Sequence, residues 1–99
     1  MIDPEGEYKS QHGFMTVRII DRSSMEAEVV ISRYKDEISW KATGWIDDNV
    51  LELSDSRYST CQATITFTAR GAKVSVSESG DWAKVTAEDF VIAGTYTKN

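Results

Sequence analysis

Across residues 60–70 the chain changes character at every step: Cys61, Ala63, Ile65, Phe67 and Ala69 alternate with Gln62, Thr64, Thr66 and Thr68. Successive side chains of an extended strand point to opposite faces, so a period of two held this long specifies a strand with one buried and one wetted face. The period returns along the whole chain. Within residues 14–21, Met15, Val17 and Ile19 oppose Thr16 and Arg18; within residues 25–34, Met25, Ala27, Val29 and Ile31 oppose Glu26, Glu28 and Ser32. Ile38, Trp40, Ala42 and Ile46 continue the inward series against Lys41 and Thr43, and Leu51 and Leu53 mark a short strand over residues 50–54. Val74 and Val76 carry another over residues 72–78, and residues 91–98 read as the last.

The connections between these strands are short and made of turn residues. Asp21-Arg22-Ser23-Ser24 and Asp47-Asp48-Asn49 carry side chains that bond their own backbone, Gly71 reads as a turn, and Ser79-Gly80-Asp81 ends a strand. Short links force consecutive antiparallel pairing, which builds a meander. Gly6-Glu7-Tyr8 and Gly94-Thr95-Tyr96 are alike at the two ends, as expected if the first and last strands pair and abolish the sheet edges. The expected fold is therefore all-β: a small antiparallel up-and-down barrel of seven or eight strands, forming a single domain over residues 1–99. Thr86, followed by Ala87-Glu88-Asp89, predicts one short helical turn near residues 86–90. An eight-stranded barrel has an interior that side chains just fill or that holds one small ligand. Met15, Trp40, Phe67 and the aliphatic rows predict a filled one.

Sixteen acidic against eleven basic side chains give a formal net charge of −5. Nucleic-acid binding draws on clustered Lys and Arg that release counterions, so nucleic acid and anionic membranes are not expected partners. A basic protein suits such a surface better. No segment approaches the roughly 18 apolar residues of a membrane helix. The first ten residues have neither a basic start nor an apolar signal core. Met1 reads either as a natural start, implying a cytoplasmic protein, or as the replacement of a removed export signal, implying a periplasmic or secreted one. One cysteine, Cys61, rules out an internal disulfide and leaves compartment and oligomeric state unassigned.

Catalytic chemistry finds little to work with. The single histidine, His12, sits beside Gly13 in a turn, far along the chain from Cys61, whose place on the inward face predicts an inert thiol. One Cys and one His cannot supply the ligands zinc takes, and Asp47, Asp48 and Asn49 lack the spacing of a calcium loop, so no metal or other cofactor is expected. Glu88 and Asp89 are adjacent and would face opposite ways on a strand. The surplus lies in aromatic groups: Trp45 alternates to the face opposite Trp40, and Tyr34 and Tyr58 fall at strand or loop ends.

From Cys61 onward, the chain runs through an alternating Cys-bearing strand, a Val-rich strand, a Gly-Asp turn, Phe90 and Ala93-Gly94-Thr95-Tyr96. With the opening Gly6-Glu7-Tyr8, this order resembles small exported bacterial domains of the LprI and MliC-like lysozyme-inhibitor kind. The resemblance covers about the last forty residues and the opening. Those families staple this region with cysteines, whereas Cys61 has no mate, and no inhibitory loop transfers onto this chain. What the resemblance implies is a bacterial inhibitor.

These readings converge on a non-enzymatic protein-binding module, in its specific form an inhibitor or immunity-type antagonist of a basic enzyme such as a lysozyme. It would act by steric occlusion, with Asp47, Asp48, Asp55 and Asp81 on the rim and Trp45 or Tyr58 as anchors. The alternative is a lipocalin-like carrier of a small apolar ligand, and a third reading is an enzyme whose site is assembled from loops.

Overall fold

The computed structural model describes residues 2–35, 38–86 and 91–99. Eight strands and one helical turn follow in the order β1 (Gly6–Lys9), β2 (Gly13–Asp21), β3 (Glu26–Arg33), β4 (Ser39–Asp47), β5 (Val50–Ser54), β6 (Gln62–Phe67), β7 (Gly71–Val76), α1 (Trp82–Val85) and β8 (Gly94–Lys98). Each strand pairs antiparallel with the next, and β8 returns to β1 to close the barrel. The all-β up-and-down barrel is thus the fold, with eight strands.

Alternation fixes which residues fill it. Tyr8, Met15, Val17, Val29, Ile31, Trp40, Leu51, Leu53, Ile65, Phe67, Val74 and Tyr96 converge in one buried cluster. Each such side chain contributes on the order of 1.5 to 3 kcal/mol when taken from water, which a domain this small needs to offset its chain entropy. The two Gly-x-Tyr segments prove equivalent in structure. Gly6 and Gly94 both adopt positive φ, at 145° and 142°, a region that side chains disfavour. Tyr8 donates its hydroxyl proton to the Pro4 carbonyl at 2.6 Å, and Tyr96 donates to the Ile92 carbonyl at 2.7 Å. Each strand at the seam is therefore pinned by a phenol reaching back four residues.

Several boundaries differ from the sequence expectation, each for a local reason. The strand expected over residues 60–70 is only β6, because Cys61 N–H turns back to the Tyr58 carbonyl and Thr68 N–H to the Gly71 carbonyl. Ala69 consequently lies exposed in a turn. Gly71 is not that turn but the first residue of β7, paired with Thr97, where a Cβ would run into the Tyr96 carbonyl oxygen. Met25 closes the β2–β3 turn with φ 60° instead of opening β3. The helical turn stands at Trp82–Val85, before Thr86, whose N–H and hydroxyl both donate to the Trp82 carbonyl and end it. Trp82 holds that turn over the barrel mouth, with its ring edge-on to Trp40 at 5.2 Å and its indole N–H on the Ser77 carbonyl. Glu88, Asp89 and Phe90, and the rest of the turn expected over residues 86–90, lie outside the described residues.

Candidate functional site

An up-and-down barrel collects its turns at two ends. One end carries the turns at residues 22–25, 48–49 and 68–70; the other carries residues 10–12, the β3–β4 link, residues 55–61 and α1. This geometry divides the six residues singled out as a binding rim. Asp47 and Asp48 stand at the first end, and Asp55, Tyr58 and Asp81 at the second.

Asp55 requires the clearest correction. It is a buried side chain, 5% exposed, and so cannot serve on a rim. Its Oδ2 accepts the Trp40 indole N–H at 2.9 Å, while Oδ1 accepts the backbone N–H groups of Arg57 and Tyr58 at 2.8 and 3.1 Å. Burial works to raise its pKa, but the Arg57 N–H, the Trp40 indole, the Tyr58 N–H and the Arg57 charge outweigh burial and hold it below the usual aspartate value. Tyr58 is half-buried in the same turn, with the Arg57 guanidinium 5.8 Å from its ring centre, so it offers only part of its face. Asp81 is exposed at the start of α1 and lies 3.9 Å from Lys84. His12 is exposed in the β1–β2 turn. Cys61 is fully buried, and burial, reinforced by the Asp55 charge, raises its thiol pKa.

Trp45 is a different case. It lies on the outer face of β4 and is 60% exposed. The register sets it directly across from Glu26 on β3 and Glu52 on β5, while Asp21 on β2 continues the row beyond Glu26. Directly opposed residues hold their Cβ atoms about 4.5–5.5 Å apart. Asp47 and Asp48 close the facet at the hairpin tip, where Asp48 and Asn49 take φ 51° and 67°, a left-handed pair that suits a two-residue hairpin turn. Two acids elsewhere on the barrel wall are paired: Glu5 meets Arg22 at 2.9 Å, and Glu28 meets both Arg18 and Lys41 at 3.3 Å. Among the described residues, Glu26, Glu52, Asp47 and Asp48 have no ion-pair partner. The result is an aromatic plate set among uncompensated carboxylates.

Sequence reasoning found Trp45, Asp47 and Asp48 but missed Glu26 and Glu52. A two-residue turn at Asp48-Asn49 pairs Asp47 with Val50 and hence Trp45 with Glu52, so one of the two was within reach of counting. Glu26 joins through the longer β3–β4 link, which no turn rule indexes. Among the described residues no group of three His, Cys, Asp or Glu side chains stands close enough to share a metal ion. Comparison with protein-family models, with curated proteins and with solved structures returned no match.

Proposed function

We propose that this protein is a non-enzymatic binding module that docks a basic protein on the Trp45 facet, with antagonism of a basic enzyme such as a lysozyme as the specific form. One observation carries the reading: an exposed tryptophan in register with two carboxylates that have no ion-pair partner among the described residues, next to two more at the hairpin tip. Uncompensated acids repel one another and are best relieved by an external cation, while an exposed indole supplies the apolar and cation–π contact of an interface anchor. The exposed His12 and the buried, poorly ionised Cys61 support a non-catalytic role. A lipocalin-like carrier needs a central void, and the inward convergence of Tyr8, Met15, Trp40, Phe67 and Tyr96 argues against that alternative. Inhibition would be steric, the barrel wall covering the partner's cleft.

Calorimetric titration against a panel of lysozymes and other basic enzymes tests this. Binding is expected at low salt, weakened by added salt, with Trp45→Ala lowering affinity by about ten- to a hundredfold, as for a central aromatic anchor. Paired Glu26→Gln and Glu52→Gln changes should act mainly on the association rate. Neither binding nor inhibition with any lysozyme removes the specific form, and indifference of a bound basic enzyme to Trp45→Ala removes the facet.

A further inference from the structure

β4 treats its two neighbours unequally. Its even-numbered residues bond toward β3: the Ile38 carbonyl accepts the Arg33 N–H at 3.1 Å, and the Ile46 N–H donates to the Met25 carbonyl at 3.0 Å. Its odd-numbered residues therefore face β5, and that register stops at Thr43 opposite Ser54. Beyond Ser54 the chain leaves β4. Asp55 keeps the β5–β6 register, its N–H on the Cys61 carbonyl and its side chain inward on Trp40, but the Arg57 and Tyr58 N–H groups then turn onto its Oδ1 and the chain forms no further rung with β4. The next rung, where Lys41 would meet Ser56, is missing, so the backbone N–H and C=O of Lys41 and Ser39 face a cleft of about 390 Å³ walled by Thr43, Ser54, Ser56 and Arg57. Among the described residues these backbone groups have no partner on that side.

We propose that this cleft receives a short extended acidic segment of a partner protein, added as a strand along Ser39–Ala42. Two backbone donor and acceptor pairs set two residues apart match the repeat of an extended chain and of little else. The acidic character follows from the walls. Lys41 and Arg57 flank the cleft with side chains 64% exposed, and among the described residues the two nearby acids are shared by three cations, Glu28 by Arg18 and Lys41 and the buried Asp55 by Arg57 besides Trp40 and the turn, which leaves an excess of positive charge. A second copy fits poorly, because pairing two such edges would set like cations against each other. The cleft lies toward the barrel end opposite Asp47 and Asp48, so it stands or falls independently of the Trp45 facet.

Residue-resolved amide hydrogen exchange on the intact protein tests the assignment, with an end-blocked hexapeptide of alternating valine and glutamate as the probe. In the free protein Lys41 N–H should exchange much faster than those of Trp40 and Ala42, which lie in the ladder to β3. Saturating peptide should slow Lys41 exchange at least tenfold. Lys41→Gln with Arg57→Gln should raise the half-saturating peptide concentration at least fivefold, and a peptide N-methylated at alternate residues should give no protection. Unchanged Lys41 exchange at millimolar peptide overturns the proposal, as does equal binding of the N-methylated peptide or of the valine–lysine counterpart. Protection that rises with protein concentration in the absence of peptide overturns it in favour of a second copy.

Discussion

A single carboxylate organises one mouth of the barrel. Asp55 accepts three N–H groups at once, from the Trp40 indole and the Arg57 and Tyr58 backbone, and so joins the turn at residues 55–61 to the core. Asp55→Ala would leave a buried indole N–H and two turn N–H groups unanswered, an expected loss of about 2–4 kcal/mol in urea unfolding followed by tryptophan fluorescence. Because the folded carboxyl titrates below its ordinary value, its contribution is complete above the unfolded aspartate pKa and is lost as pH falls through the lowered folded one. Stability of the wild type should therefore drop on acidification by more than that of Asp55→Asn, whose amide does not titrate. In the sequence, Asp55 reads like any turn acid. Its role depends on Trp40, fifteen residues away, being turned inward at the same height, and no local rule carries that. Trp45 needed less: its parity relative to Trp40 already places it on the outer face.

Strands divide into what periodicity can specify and what it cannot. The inward rows of β2, β3, β5 and β7 were legible because Met15 and Val17, Ala27, Val29 and Ile31, Leu51 and Leu53, and Val74 stand at alternate positions and are buried. Ends were not, since they depend on hydrogen bonds that compete with the ladder, such as the Gly71 N–H on the Thr68 hydroxyl that tightens the β6–β7 turn. Gly71 shows the difference most plainly. A lone glycine after a long strand reads as a turn, yet its function is close packing: the added methyl of Gly71→Ala would press on the Tyr96 carbonyl and sit 3.0 Å from Thr97 Cα. That substitution is expected to cost about 1–3 kcal/mol, as overpacking does. Thermal unfolding would show it as a lowered midpoint, and an unchanged midpoint would mean that β7 and β8 can part at this rung without loss.

At the scale of the whole molecule, integrity depends on one seam. β1 and β8 are matched at only two register positions, Tyr8 with Lys98 and Lys9 with Thr97. Around them, Asn99 N–H donates to the Glu7 carbonyl, and the Lys98 ammonium reaches the Asp3 carbonyl while lying 5.7 Å from the Tyr8 ring centre. Tyr8 and Tyr96 serve the same seam from inside. Burial pushes both phenols up to about 12, with the Asp3 charge adding to the rise at Tyr8 and a hydrogen bond with Ser10 opposing it at Tyr96. A raised folded pKa gives stability that is complete below the unfolded value near 10 and is lost as pH climbs toward 12, up to about 2–3 kcal/mol for each phenol. Denaturant midpoints should accordingly hold level to about pH 10 and fall steeply above it, and Tyr8→Phe should flatten the fall. The seam also bears on the order of assembly. Seven of the eight strand pairs join neighbours in sequence, and only β1 with β8 spans nearly the full chain. Closing a loop of about ninety residues costs on the order of 4 kcal/mol in chain entropy, far more than a hairpin turn does. The ladder can thus zip from hairpin to hairpin as an open sheet, with circular closure as its final event, and the opening strand must wait for the last one before either has both its neighbours.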